Sequence, residues 1–110
     1  MYTAPEALTA PADVDARADL YALGAVAYFL LTGQPVFDGR TAVEVFAKHL
    51  KVAPVAPSAR LGRAIPADLE ALVMRCLAKN PADRPQDARE LFDALRRCSD
   101  AHQWSLGDAQ

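Results

Sequence analysis

The chain has 110 residues, 52% of them hydrophobic and 24% charged, with a formal net charge of −2 at pH 7. That length allows one small domain without a second core, and the apolar content excludes general disorder. A mildly acidic balance with scattered Lys and Arg argues against nucleic acid or an anionic membrane as partner, because both select a basic face.

Residues 1–16 are rich in Ala, Pro, Thr and Asp and read as loop, with room for one helical turn after Pro5. From Ala16 or Arg17 to Thr32 the pattern predicts a long helix, and its segment Leu20 to Leu31 is uncharged and apolar nearly all the way round. A helix apolar on every face needs protein on every face, so this one should lie at the centre of the fold. Asp19 in its first turn complements the helix dipole, Gly33 supplies a left-handed stop and Pro35 forbids continuation.

Thr41-Ala-Val-Glu44 has the form of a capping box, and Val43, Phe46, Ala47 and Leu50 follow at helical spacing, which predicts an amphipathic helix from Thr41 to about Lys51. Residues 52–65, with Pro54, Pro57, Ser58 and Gly62, read as an extended loop without periodicity. From Pro66 the stripe Leu69, Leu72, Val73, Cys76, Leu77 predicts a third helix, ended by Lys79-Asn80-Pro81. Asp87-Ala-Arg-Glu90 starts a last helix through Ala88, Leu91, Phe92, Leu95 and Cys98, ending near Cys98 or Ser99; the polar tail carries Trp104, expected to fold back. No strand is convincing, so the fold class is all-α.

Cys76 and Cys98 are too few for a disulfide scaffold, lack metal-type spacing and occupy apolar helical positions, as buried thiols in a reducing compartment would. His49 and His102 lie far apart without ligand-like neighbours, so no metal site is expected. The start of the chain lacks a signal-peptide pattern and the apolar stretch falls short of the roughly 20 residues of a membrane span, so the expected location is cytoplasmic. Taken alone, the residues offer no glycine-rich phosphate loop, no nucleophile with a paired base and no paired carboxylates.

The order of four short segments is more specific. Tyr2-Thr-Ala4-Pro5-Glu6 precedes Asp15-Ala-Arg-Ala-Asp19-Leu-Tyr21-Ala-Leu-Gly24, then Leu31-Thr-Gly33-Gln-Pro35-Val-Phe37, and finally Leu77-Ala-Lys-Asn-Pro81-Ala-Asp-Arg84-Pro85. Together they resemble the end of a eukaryotic-like protein kinase catalytic domain, from the Ala-Pro-Glu motif through the helices named F, G, H and I. Tyr21 and the Ala-Lys-Asn-Pro turn look most like the bacterial serine/threonine kinases. The resemblance covers residues 1–98 as a partial C-lobe, with 99–110 as a C-terminal tail.

That resemblance implies a set of roles. Glu6 would pair with Arg84, two parallel hydrogen bonds pinning the substrate-facing loop to the turn before the last helix. Asp19 would anchor the backbone of the catalytic loop, although dipole compensation alone also accounts for it. Tyr2 would help to shape the substrate pocket. The helix bearing Phe46 and His49 would lie where such kinases dock substrates or regulators; the plainer reading is core packing for Phe46 and solvent exposure for His49. The complete kinase would use ATP and magnesium to phosphorylate protein serine or threonine. This chain holds neither the glycine-rich loop and strand lysine nor the His-Arg-Asp and Asp-Phe-Gly motifs, so it is expected to bind no cofactor and to carry no catalytic residue. Its expected partner is the missing amino-terminal part of the kinase, or a protein covering helix F; the parent would act on a protein substrate. A non-catalytic helical interaction module, a kinase remnant, is the alternative.

Overall fold

The computed structural model describes residues 4–5 and 16–102, the side chains of 16 and 99–102 excepted. In order come α1 (Ala16–Thr32), α2 (Ala42–Lys51), α3 (Pro57–Leu61), α4 (Ala67–Cys76), a 3₁₀ turn (Pro81–Asp83) and α5 (Ala88–His102). No strand occurs among the described residues. The fold is all-α.

The apolar helix is the hub. α1 packs on α3 and α4, and α4 packs on α5. Ala18, Tyr21, Ala25 and Tyr28 of α1 form the main core with Ala4, Val36, Phe37, Val73 and Leu77. Each large side chain so buried is worth about 1.5–3 kcal/mol. Gly24 sets the crossing of α1 and α4: a Cβ there would stand 2.6 Å from the Cβ of Cys76. α1 ends as its sequence requires, with Gly33 at φ 72° and its N–H donating to the Phe29 carbonyl.

The capping signals are realised with one shift of register. Glu44 N–H donates to Thr41 Oγ1 at 3.1 Å, but the Glu44 carboxylate accepts from the Arg40 N–H rather than that of Thr41. Likewise Glu90 N–H donates to Asp87 Oδ1, and the Glu90 carboxylate accepts from the Gln86 N–H, one residue before the cap. α5 runs on to His102, past the expected end.

Three expectations need correction. Residues 52–65 are not wholly extended: α3 forms on Pro57, whose fixed φ suits a first helical position, and stops at Gly62 with φ 73°. Five residues are too few to show a periodicity, so the helix leaves no stripe to read. Ser58 then ties α3 to α4, its N–H and hydroxyl both donating to Glu70 Oε1 at 2.8 and 2.6 Å.

The apolar stripe of α2 is not its core face. Val43 is 75% exposed, Ala47 is exposed and Phe46 and Leu50 are half-buried; the helix's buried side chain is His49, expected at the surface but only 2% exposed. The last helix is rotated in the same sense. Leu91, Ala94 and Cys98 pack on Leu72, while Phe92 stands 61% exposed beneath the Arg96 guanidinium. Both cysteines are buried, as their positions implied, and burial pushes the Cys76 thiol up to about 11.

Candidate functional site: the Arg84 anchor and the open flank of α1

Arg84 leaves the 3₁₀ turn and runs into the interior, where it is fully buried. The turn is preset by Pro81 and by Asn80, whose side chain accepts from the Ala82 N–H at 3.0 Å. Arg84 Nε donates to the Ala78 carbonyl at 2.8 Å, Nη1 to Arg17 at 3.0 Å and Nη2 to Lys79 at 3.3 Å. The guanidinium also lies 4.9 Å over the Tyr21 ring. One planar cation thus joins the start of α1 to the segment after α4, a task that suits Arg's rigid fork and that lysine's point charge cannot perform. Gln86 braces the turn from outside, taking a hydrogen bond from Arg17 and giving one to the Arg84 carbonyl at 2.7 Å.

Tyr21 carries the contact onward. Its hydroxyl lies 2.6 Å from Nδ1 of His49, and the imidazole meets Phe37 edge-on at 4.9 Å between centroids. Lys79 Nζ stands 4.6 Å over the other partner of that contact, the Phe37 ring. Burial, then the Lys79 charge, lowers His49 to about 4; burial, then Arg84, lowers Lys79 to about 8. The imidazole is therefore neutral at pH 7.

The opposite flank of α1 is open. Leu23, Val26, Phe29 and Leu30 are exposed, Leu30 by 77%, while Tyr21, Ala25 and Tyr28 on the other flank are buried. Asp19 is exposed too, and the spacing Asp19, Leu23, Val26, Leu30 places the carboxylate at the head of this apolar stripe. Beside it α1, α4 and α5 border a half-open apolar cleft of about 230 Å³, lined by Leu23, Leu30, Leu69, Cys76, Leu91 and Leu95 among others.

Of the expected site residues, the structure places Arg84 in the interior, bonded to the Arg17 carbonyl at the start of α1, and Asp19 exposed in the first turn of the same helix. Tyr2 and Glu6 lie outside the described residues, as does Trp104. A lone histidine next to an apolar stripe carries no signal of burial, which is why the sequence points to solvent exposure for His49 where the structure buries it. The available hint was its i+4 spacing from Val45, which is half-buried on the same face. Among the described residues no three His, Cys, Asp or Glu side chains gather where a metal ion could bind. No described helix is long and apolar enough to cross a membrane.

The described residues thus form an all-helical unit round an apolar hub, with a buried arginine holding the turn before its last helix. The protein kinase domain model matches residues 1–95, and the chain belongs to that family. It is 48% identical over 84 residues to the serine/threonine-protein kinase PknB of Mycobacterium tuberculosis, covering 76% of this chain and 13% of that protein. PknB of Mycolicibacterium smegmatis is 44% identical over 96 residues, 87% of this chain and 15% of that protein. A probable serine/threonine-protein kinase of Clostridium acetobutylicum is 39% identical over 82 residues, 74% of this chain and 12% of the relative. The chain thus spans about an eighth of the length of the curated relatives it matches.

Proposed function

We propose that this chain is the substrate-side helical scaffold of a protein serine/threonine kinase, its helices α1, α2, α4 and α5 standing for F, G, H and I. In the complete kinase, which would transfer phosphate from ATP to protein serine or threonine with magnesium, α1 supports the catalytic loop through Asp19. Arg84 holds the substrate-facing loop through Glu6, and Tyr2 borders the substrate pocket. The chain alone binds no ATP and transfers no phosphate. The observation that carries this reading is the stripe of Leu23, Val26 and Leu30 headed by Asp19, exposed on one flank of a helix whose other flank is core. A solvated surface would not favour three large apolar side chains on one stripe; a covered surface would.

Incubating the purified chain with labelled ATP, magnesium and a protein substrate should give no transfer above background. Magnesium-dependent phosphorylation by these 110 residues would overturn the reading. The apolar cleft between α1, α4 and α5 favours one second reading, a kinase remnant that binds another protein through this flank. Genomic DNA upstream of Met1 separates the two: in-frame His-Arg-Asp and Asp-Phe-Gly codons support the kinase scaffold, and an unrelated gene there supports the remnant.

A further inference from the structure

α2 is attached in an unusual way. It is amphipathic in sequence, yet its buried side chain is a histidine, and its apolar residues Val43, Phe46 and Leu50 are exposed or half-buried. The His49 ring is 2% exposed and wedged between the Tyr21 hydroxyl and the Phe37 ring, so the most deeply buried side chain that ties α2 to α1 is an imidazole; around it Val45, Phe46 and Leu50 are half-buried, and Lys79 Nζ donates to the Lys48 carbonyl at 3.4 Å. We propose that His49 is an acid-sensitive latch: its neutral ring holds α2 against α1, and its protonation releases α2 while α1 and α4 remain packed.

The surroundings of the ring favour this sequence of events. In the neutral ring with its proton on Nε2, Nδ1 accepts from the Tyr21 hydroxyl; a proton on Nδ1 removes that acceptor. The Lys79 charge makes the new cation worse off. From the segment after α4 comes the Lys79 ammonium, over the Phe37 ring. From the turn before α5 comes the Arg84 guanidinium, over the face of Tyr21. On α2 itself Glu44 faces Lys48 in an i,i+4 pair, and Lys48 also donates to the Asp38 carbonyl of the preceding loop, so that carboxylate is engaged outside the ring's pocket. Burial and the Lys79 charge hold His49 at about 4, whereas in a released helix it would return to 6.5. Released and docked forms therefore bind the proton with different affinity, and the difference acts on the docking equilibrium. By contrast α4 is held to α1 by apolar packing at Gly24, Val73 and Leu77, which acid does not touch.

Amide hydrogen exchange of the whole chain, corrected for intrinsic rates, tests the proposal at pH 7 and pH 5. Protection of the α2 amides should fall by about 20-fold over that interval, the ratio expected when a group shifts between those two affinities, while α4 amides change by less than about threefold. His49→Gln, which keeps a hydrogen-bonding side chain but does not titrate, should hold α2 protection constant over the same interval. His49→Phe, which fills the pocket without a hydrogen bond, should do the same. The proposal is overturned if α2 is unprotected at pH 7, if α2 and α4 lose protection together, or if both variants keep the wild-type pH dependence.

Discussion

Arg84 ties three backbone carbonyls and one aromatic ring together from a fully buried position, and its replacement is the sharpest test of the packing. Arg84→Ala leaves the carbonyls of Ala78, Arg17 and Lys79 without their donor and removes the cation over Tyr21. Hydrogen bonds to a charged group are worth about 1.5–3 kcal/mol each, and some of that is recovered by water, so a net loss of roughly 3 kcal/mol is expected in urea denaturation. Arg84→Lys should recover little of it, because an ammonium cannot address three carbonyls arranged for a planar fork. Gly24→Ala is a second residue-scale test with competing terms. Alanine gains up to about 1 kcal/mol of helix propensity, but its methyl would sit 2.6 Å from Cys76 Cβ. Overpacking of that kind costs about 1–3 kcal/mol and involves a Cβ on a packed helix that cannot swing aside, so the variant should melt lower.

At the scale of elements, the link between α3 and α4 is electrostatic and titrates. Hydrogen bonds from the Ser58 hydroxyl and N–H hold the Glu70 carboxyl below its usual range. A depressed carboxyl contributes stability that is present above its unfolded pKa and is lost as pH falls through the folded one. Glu70→Gln should therefore flatten the acid limb of a stability–pH curve below about pH 4.5, the ordinary value for this carboxyl. Ser58→Ala should do likewise, and neither should change the curve between pH 6 and 8. The neutral His49 acts with the same sign at higher pH: stability falls as pH drops from 6.5 towards 4, at no more than about 1.4 kcal/mol per pH unit. Which elements could be read in advance follows from their physics. α1, α2, α4 and α5 announce themselves through length, caps and breakers, because those signals act within one turn of the chain. α3 does not, since one turn has no period. The faces that α2 and α5 bury differ from their apolar stripes for another reason. Periodicity reports where apolar residues lie, but burial depends on which neighbour arrives: His49 meets Tyr21 in the core, while Val43 and Phe92 stay exposed, Phe92 with only the Arg96 guanidinium of its own helix over it among the described residues. The burial of Arg84 has no local signal, because no local rule tells a buried arginine from a surface one; it was singled out only through a family pattern.

For the molecule as a whole, the open flank of α1 sets the behaviour in solution. Each large side chain left bare forfeits about 1.5–3 kcal/mol that burial would supply, against a total margin of about 5–15 kcal/mol. The chain should self-associate through Leu23, Val26, Phe29 and Leu30, or bind whatever covers them. Leu30→Lys removes the most exposed of these and breaks no core contact, since its side chain is 77% exposed. The expected result is higher solubility and later elution from a sizing column, with the helical circular dichroism unchanged.

That α1 was shaped to be enclosed on both flanks is tested most directly by thermal unfolding of the unmodified chain over a hundredfold range of concentration, followed by circular dichroism. A midpoint that moves with concentration, and stops moving in Leu30→Lys, is the predicted outcome. A sharp transition of a clean monomer at one temperature throughout would show that the flank needs no cover.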